Sequence, residues 1–514
     1  MTDFQHDLLT DPIFGVEGID GRSHVSLAGL LARLGRREAT EMTGLMPHQQ
    51  HAWYALVVQL AALVLARNGD TRMDRAEHEW RDALRALGGS AEAFALVVPG
   101  LPKPAFMQPP VPEGTLDEWN VLRTPDALDV LVTAKNHDVK QERFRAPAIE
   151  HWVYALVSLQ TTEGYSGRDN HGVARMNGGF SSRPSIGAAG DVAFDVRYAR
   201  DVSTWLRERD ALVQERGYDP AGTALLWTVP WDGTQSLALS TLDPAFIEVC
   251  RRIRFTEGAE SLEARSRATK VPRTAAKELK GATGDVWTPL KVADGAALTV
   301  SGDGFGYKRM AELLFSADWR QSPAQIVRTE DGREPVLIAR ALVRGQGKTE
   351  GLHERVVPIP EKAKKYFASG NDRTHLGKLA TGRIERVAVM RNKVLKPALL
   401  AIAQGGPAKV NFDDKSADVH IDAFEARVDA LFFAQLFDDA DIGPAEAVPR
   451  WNETLLAVAT AVKKRAEGSM PIPISRRQRA LAAGDRAFFG SSIKQGFRRP
   501  TADVTGGSDE RASD

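Results

Sequence analysis

Between Ala52 and Ala66 the only strongly polar residue is Gln59, and the run His48 to Asn68 has the length of one continuous helix. A helix that is apolar around nearly its whole circumference has no face to give to water, so it has to lie in the middle of a core with other elements wrapped around it. The apolar part is 15 residues long, short of the roughly 20 needed to cross a bilayer. The chain is therefore expected to be a globular protein built around a buried helix. Its 514 residues leave room for two to four domains at about 100–200 residues each.

The charge balance narrows the class further. Lys plus Arg and Asp plus Glu number 67 each, which excludes a histone-like basic protein and an acidic disordered chain while leaving room for local basic surfaces. Cys250 is the single cysteine, so there is no intrachain disulfide and no cysteine-rich zinc site; a reducing compartment is the natural reading. The first twelve residues carry Asp3, Asp7 and Asp11 without a sustained apolar core. No signal peptide and a cytoplasmic location are expected.

Periodicity gives the organisation. An extended piece over Leu8–Val16 precedes an amphipathic helix over Ser26–Leu34, the central helix, and a helix over Trp80–Leu87. The proline-rich stretch Val97–Pro112 has to be loop or extended chain. Helical patterns return at Leu116–Ala134 and Ala148–Thr161. Tyr165–Gly190 is rich in Gly, Asn, Ser and Arg, and short apolar runs at Val192–Arg197 and Ala224–Val229 read as strands. Arg251–Lys280 is basic, nine Lys or Arg against four Glu, and Val286–Val300 reads as a strand pair turning at Asp294-Gly295. From about residue 360 the pattern changes to four helical regions, Glu361–Gln404, Val419–Phe437, Ala445–Glu467 and Ser475–Gly496, with Gly370 a possible break and Pro397 an expected kink in the first. The expected fold is α+β: a large mixed N-terminal domain over 1–360, an antiparallel four-helix bundle over 361–500, and a polar, disordered tail over 501–514.

Catalytic signals are poor. Gly345-Gln346-Gly347-Lys348-Thr349 ends like a phosphate-binding loop, which would make the chain a nucleotide-binding enzyme using Lys348. The full motif needs glycine at the position held by Leu342, and Gly351 interrupts the helix that should follow. His48 and His51 have the spacing of two ligands on a helix but no third nearby. His137-Asp138 lacks a nucleophile, and Asp413-Asp414 and Asp438-Asp439-Ala440-Asp441 read as solvated charge. No catalytic residue, metal or cofactor is assigned. Binding signals are better: the glycine pair Gly178-Gly179, where a backbone can approach a ligand closely; the polar, basic run Thr133–Lys140; and the cations Lys362 to Lys396 of the first bundle region, arranged like a polyanion track.

Several segments, taken in order, resemble one family. Asp7–Ile13 is similar to its first strand, Pro104-Ala105-Phe106-Met107-Gln108 to its Phe-Met-Gln motif, Thr133–Lys140 to its long first loop, Gly178-Gly179-Phe180 to its glycine loop, and Asp243–Cys250 to a further strand. Arg344–Arg355 resembles the segment just before its helical bundle. The family is CasA, the large subunit of the type I-E CRISPR surveillance complex Cascade. The resemblance implies a non-enzymatic subunit that recognises the protospacer-adjacent motif in double-stranded DNA, starts unwinding, holds the displaced strand and recruits the helicase–nuclease. Its partners would be the other Cascade subunits, the guide RNA and target DNA, with no membrane.

The same resemblance implies roles for residues. Gly178 and Gly179 would enter the minor groove. A lysine finger, preceding a strand that holds Trp287, would read its acceptors; Lys280 is preferred over Lys277. Gln346 would be the wedge, with Gly347 and Lys348 competing for the tip because the segment is one residue longer than in some relatives. Lys135, Asn136, His137, Asp138 and Lys140 would contact the guide and the complex. Lys378, Arg383, Arg386, Arg391 and Lys393 would guide the displaced strand. The cysteine cluster of some relatives is missing, so no structural zinc is expected.

Overall fold

The computed structural model describes residues 5–130, 146–179, 182–258, 262–345, 348–368 and 370–498. The chain divides into two compact units, Met1–Ala368 and Ser369–Asp514.

The first unit is wound around the helix Gln50–Asn68, whose residues His51 to Leu65 are all buried. A 3-10 turn over Pro47–Gln49 leads into it, and Gly69 at φ +60° closes it. Helices Leu27–Gly35, Glu77–Gly88, Ile149–Thr162 and Phe194–Arg216 surround it. The Ser26 hydroxyl caps the first of these by accepting from the Gly29 amide at 2.9 Å. Phe14, Trp53 and Tyr154 stack into one cluster at centroid distances of 4.8–5.9 Å. Gln59, the polar interruption, is satisfied: its amide donates to the carbonyls of Ala245 and Phe246 at 3.1 and 2.9 Å. This locks the central helix to the strand Leu242–Ile247.

Strands are short and form several small sheets. Phe14–Gly18 lies between Gly21–Val25 and Glu41–Met42; Leu262–Arg267 lies between Arg252–Glu257 and Asn120–Leu122. The longest pair is the antiparallel hairpin Val336–Gly345 and Lys348–Pro358, joined on its other edge by Ser185–Ala189. The Phe-Met-Gln turn is architectural. Gln108 is fully buried, donating to the carbonyls of Leu96 and Phe106 and accepting from the Phe255 amide at 2.7 Å.

Some expectations fail. Of Asp7–Ile13 only Asp7 is in a strand, Gln5–Asp7, and the rest is the turn leading to Phe14–Gly18. The described part of Leu116–Ala134 holds the strand Asn120–Leu122 and one helical turn, Pro125–Leu128. Val192–Arg197 opens the 23-residue helix Phe194–Arg216. Its apolar face is interrupted by buried Arg197, Arg200 and Asp201, which hid the helical period. Ala224–Val229 is strand only to Leu225 before a 3-10 turn. Trp287 lies in a turn, and the adjacent strand is only Leu290–Lys291. The Asp294-Gly295 turn is present, with Gly295 at φ +69° and a bridge from Leu290 to Ala297.

The second unit is a four-helix bundle. Gly370–Val389 continues through a π-helical turn, Met390–Leu395, into Lys396–Ala403. Pro397 lacks an amide hydrogen and its ring excludes the usual carbonyl, so the wider turn just before it absorbs the misfit without ending the helix. Asp418–Asp438, Pro444–Ser469 and Ile474–Lys494 complete the bundle around Phe424, Phe432, Trp451, Leu455 and Phe488. A Cβ on Gly484 would lie 2.4 Å from the Ile402 side chain, so glycine is what lets the last helix approach so closely. No helix among the described residues is long and apolar enough to cross a membrane.

His51 opens the central helix fully buried, and burial pushes its pKa down to about 3. The unfolded chain takes up this proton near pH 6.5 while the folded chain refuses it, so the contribution is complete above pH 6.5 and is lost as pH falls towards 3. Chemical denaturation between pH 6.5 and 5 should show stability falling by up to about 1.4 kcal/mol per pH unit from this one group. His51→Asn should flatten that slope; an unchanged slope would refute the assignment.

Candidate nucleic-acid interface

Three surface features of the first unit are tied to one another by buried polar contacts. The first is the loop carrying Gly178 and Gly179. Its approach is pegged into the core by Arg175, fully buried, whose guanidinium lies 4.1 Å from the Phe246 ring and donates to the carbonyls of Pro244 and Phe246. Met176 is buried beside Val173 and Cys250. The Gly179 carbonyl accepts from the Tyr165 amide at 2.8 Å. The two glycines are exposed, at φ +39° and +76°, and a Cβ on either would meet nothing within 4 Å in this chain. The apex is thus a bare backbone on a fixed base.

The second feature is the turn of Lys277 and Lys280. Lys277 opens the 3-10 turn Lys277–Leu279, and Lys280 ends it in the left-handed region at φ +49°. Both side chains are exposed. The Lys280 Nζ lies 3.6 Å from Asp294, whose carboxyl is held below its usual range first by the Ala296 amide, with Lys280 adding to it. The Lys280 carbonyl accepts from the Ala297 amide at 2.9 Å, fixing this turn to the Asp294-Gly295 turn. The neighbouring Gly281 sits directly on the glycine loop: a Cβ there would fall 2.4 Å from the Met176 carbonyl carbon and 2.7 Å from the Asn177 nitrogen. Arg183, on the far side of the loop, pairs with Asp285 and donates to Gln59 at 3.4 Å. Two contacts therefore join the lysine turn to the glycine loop.

The hairpin is the third. Arg344 near its end pairs with Glu163, and Ser182 donates to the Leu342 carbonyl. Glu163 ends the helix Ile149–Thr162, is 3% exposed at its side chain, bridges Ser182 through the backbone, and lies 4.0 Å from Arg251. The glycine loop and the hairpin thus share one anchor. Gln346 and Gly347 lie outside the described residues; the strands flanking them are paired up to Gly345 and Lys348. Lys348 opens a strand, so the helix that a phosphate-binding loop requires is absent at this point. That removes the nucleotide-binding reading. The first-loop residues Lys135, Asn136, His137, Asp138 and Lys140 also lie outside the described residues.

The bundle track has to be redrawn. Arg383 is 3% exposed, pairs with fully buried Asp439 and lies 4.9 Å from the Trp451 ring, so it is a core residue. Asp439, expected to be solvated, also takes Arg450 at 2.8 Å. Arg386 donates to Asn452 at 2.8 Å and to the Gln495 carbonyl at 3.0 Å and covers the Phe497 ring at 4.0 Å. Arg391 is part-exposed and lies 3.5 Å from Glu425. Lys378 and Lys393 are exposed without an ion pair among the described residues. The period of the helix put the arginines on the stripe that faces inward, which a count of charges does not reveal.

His48 and His51 do not form a ligand pair: His48 bonds Asp129 at 2.8 Å. Among the described residues no group of three or more His, Cys, Asp or Glu is placed to hold a metal ion. Sequence reasoning missed Glu163, Gly281 and Asp285, none of which belongs to a motif.

No family model and no curated protein matches the chain. Solved structures do. Thermus thermophilus CasA (Cse1) has a TM-score of 0.64 at 15% identity, covering 95% of this chain and 99% of that one. Thermobifida fusca Cse1 has 0.64 at 14%, covering 96% and 98%. The CRISPR-associated protein Cse1 of Acidimicrobium ferrooxidans has 0.62 at 14%, covering 96% and 99%. A chain of a CRISPR RNA-guided surveillance complex has 0.60 at 14%, covering 94% and 99%.

Two stability measurements check this geometry. Gly281→Ala should cost about 1–3 kcal/mol by overpacking, added to the backbone strain that its φ of +82° also imposes. Gly178→Ala should cost only about 1–2 kcal/mol of backbone strain, so it should be the milder change in chemical denaturation; the reverse order would contradict the packing described. Arg383→Ala should cost at most about 3–5 kcal/mol, because Asp439 keeps Arg450 as a partner, and Lys378→Ala less than about 0.5 kcal/mol. Over nearly its whole length, this chain has the CasA (Cse1) fold.

Proposed function

We propose that this chain is the large subunit of a CRISPR RNA-guided surveillance complex, acting without chemistry of its own. It reads a short motif beside the target in double-stranded DNA, starts opening the duplex, helps hold the displaced strand and recruits a helicase–nuclease. The observation that carries this reading is the joint anchoring of the Gly178-Gly179 apex, the Lys280 turn and the hairpin of residues 336–358.

The physics of each part fits. The minor groove of B-DNA is about 6 Å wide and offers mainly acceptors. A bare glycine backbone on a rigid base can enter it, and a lysine beside it can donate to those acceptors. Such readout is degenerate, so several related motifs should be accepted, each base contact contributing about 1–3 kcal/mol. In this reading the hairpin that shares the reader's anchor parts the first base pair, at a cost of a few kcal/mol recovered through contacts with the opened strands. Lys378 and Lys393 remain candidates for phosphate contacts with the displaced strand, whereas Arg383 and Arg386 are committed to the bundle.

The test is binding of target duplexes by the guide-RNA complex with and without this chain, using an intact or scrambled flanking motif, at two salt concentrations. Binding should need both the chain and the motif and should weaken with salt. Gly178→Asp should abolish the motif preference, and Lys280→Ala should reduce discrimination by about 5- to 150-fold, the equivalent of one base contact. Gln346→Ala should leave motif binding in place and slow strand opening, read with a base-analogue fluorophore at the first target pair. Binding indifferent to the chain and to all three substitutions would overturn the proposal.

A further inference from the structure

The first unit carries a second cationic feature. An open cleft of about 520 Å³ is lined by Arg207, Val327, Arg328, Thr329, Glu330 and Lys364. Its volume falls within the range of small-ligand sites. Val327 is the only apolar side chain in the lining and no aromatic ring is present. The cleft therefore offers neither a stacking platform for a base nor an apolar wall for a hydrocarbon.

Charge is what it offers. Arg200, Thr204 and Arg207 stand at three- and four-residue steps along one face of the helix Phe194–Arg216. Arg200, beneath the cleft, is neutralised: it pairs with buried Asp331 at 2.6 Å and donates to the carbonyls of Ala324 and Ile326. Arg328 is treated differently. Its guanidinium donates to the Thr204 hydroxyl at 2.9 Å and to the Pro323 carbonyl at 3.4 Å, both neutral oxygens. Among the described residues no carboxylate lies within ion-pair distance of Arg328 or of Lys364. Lys364 donates to the carbonyls of Thr329 and Gly332. Glu330, more than half exposed, is the one acid in the lining, and it is engaged at 3.4 Å by Arg207. Burial first, then Arg200 and Arg207, hold the Arg328 pKa below its usual value, against a smaller opposing effect of Glu330 and Asp331.

We propose that this cleft is a phosphate-binding site, with Arg328 and Lys364 as its principal ligands and Arg207 at its rim. Three cations against one acid leave a net charge of about +2. A phosphate ester or pyrophosphate matches that better than a single carboxylate does. A guanidinium held in a fixed plane by Thr204 and Pro323 presents its remaining donors as a fork, and the lysine adds a point charge from a separate helix, Glu361–Ala368. The phosphate comes either from a small free anion or from a polynucleotide backbone. The lining provides for the phosphate and not for a base, so recognition is independent of nucleotide sequence.

The test uses the full chain and two probes. Pyrophosphate, without divalent metal, is titrated calorimetrically against sodium chloride of equal ionic strength. A fluorescent oligothymidylate single strand is titrated by anisotropy. Lys364→Gln keeps a donor for the Thr329 and Gly332 carbonyls, so the fold is retained while the charge is lost; Arg328→Lys keeps the charge and loses the fork. Both should weaken at least one probe fivefold or more. Loss confined to pyrophosphate would support the site with a small anion as its ligand, and loss confined to the oligonucleotide would support it with a polymer backbone. Absence of binding by both probes, or binding that neither substitution alters, would overturn the proposal. No motif-bearing duplex enters the experiment, so its outcome is separate from that of the proposed function.

Discussion

A helix without a polar face can exist only inside a wrapping of other elements, and the first unit is that wrapping. The buried run His51–Leu65 determines where the surrounding helices and strands can lie. Its one polar side chain in the middle, Gln59, reaches both ways: to the strand Leu242–Ile247 through two carbonyls, and to Arg183. Arg183 in turn pairs with Asp285 below the lysine turn. The surface features of the candidate interface are thus two side chains away from the centre of the core. A loop carried on such a base keeps its shape, because moving it would expose a buried ion pair whose disruption costs about 3–5 kcal/mol.

That connection separates the exposed residues of the interface, two glycines and two lysines, from the large, charged and buried residues that support them. Arg175, Arg183, Glu163, Arg344 and Asp285 are all nearly inaccessible. They use charge to set position rather than to meet a ligand. The bundle applies the same logic to Arg383 and Asp439. In both units a count of basic residues overstates the cationic surface, because arginine is also the residue that satisfies several buried carbonyls and a ring at once.

The central helix, the bundle helices and the proline-rich connection were legible because each depends on a local pattern: an apolar period or a run of prolines. The helix Phe194–Arg216 was not, since Arg197, Arg200 and Asp201 occupy core-facing positions and are matched by partners far along the chain. The glycine pair and the neighbouring lysines were legible as candidates, and the ordered motifs carried the family resemblance that the fold bears out. Their adjacency was not legible.

The sequence by itself determined that this chain needs a buried helix at its centre, ends in a bundle, and carries no recognisable catalytic motif. Those properties follow from composition and from periods of a few residues. Only the tertiary structure decided which charges face water, that Gly281 lies against the glycine loop, that Glu163 holds the hairpin, and that Arg328 and Lys364 share a cleft. Each of these joins segments tens to almost two hundred residues apart through close packing, ion pairs or a shared surface, and no local pattern in the chain encodes such a pairing.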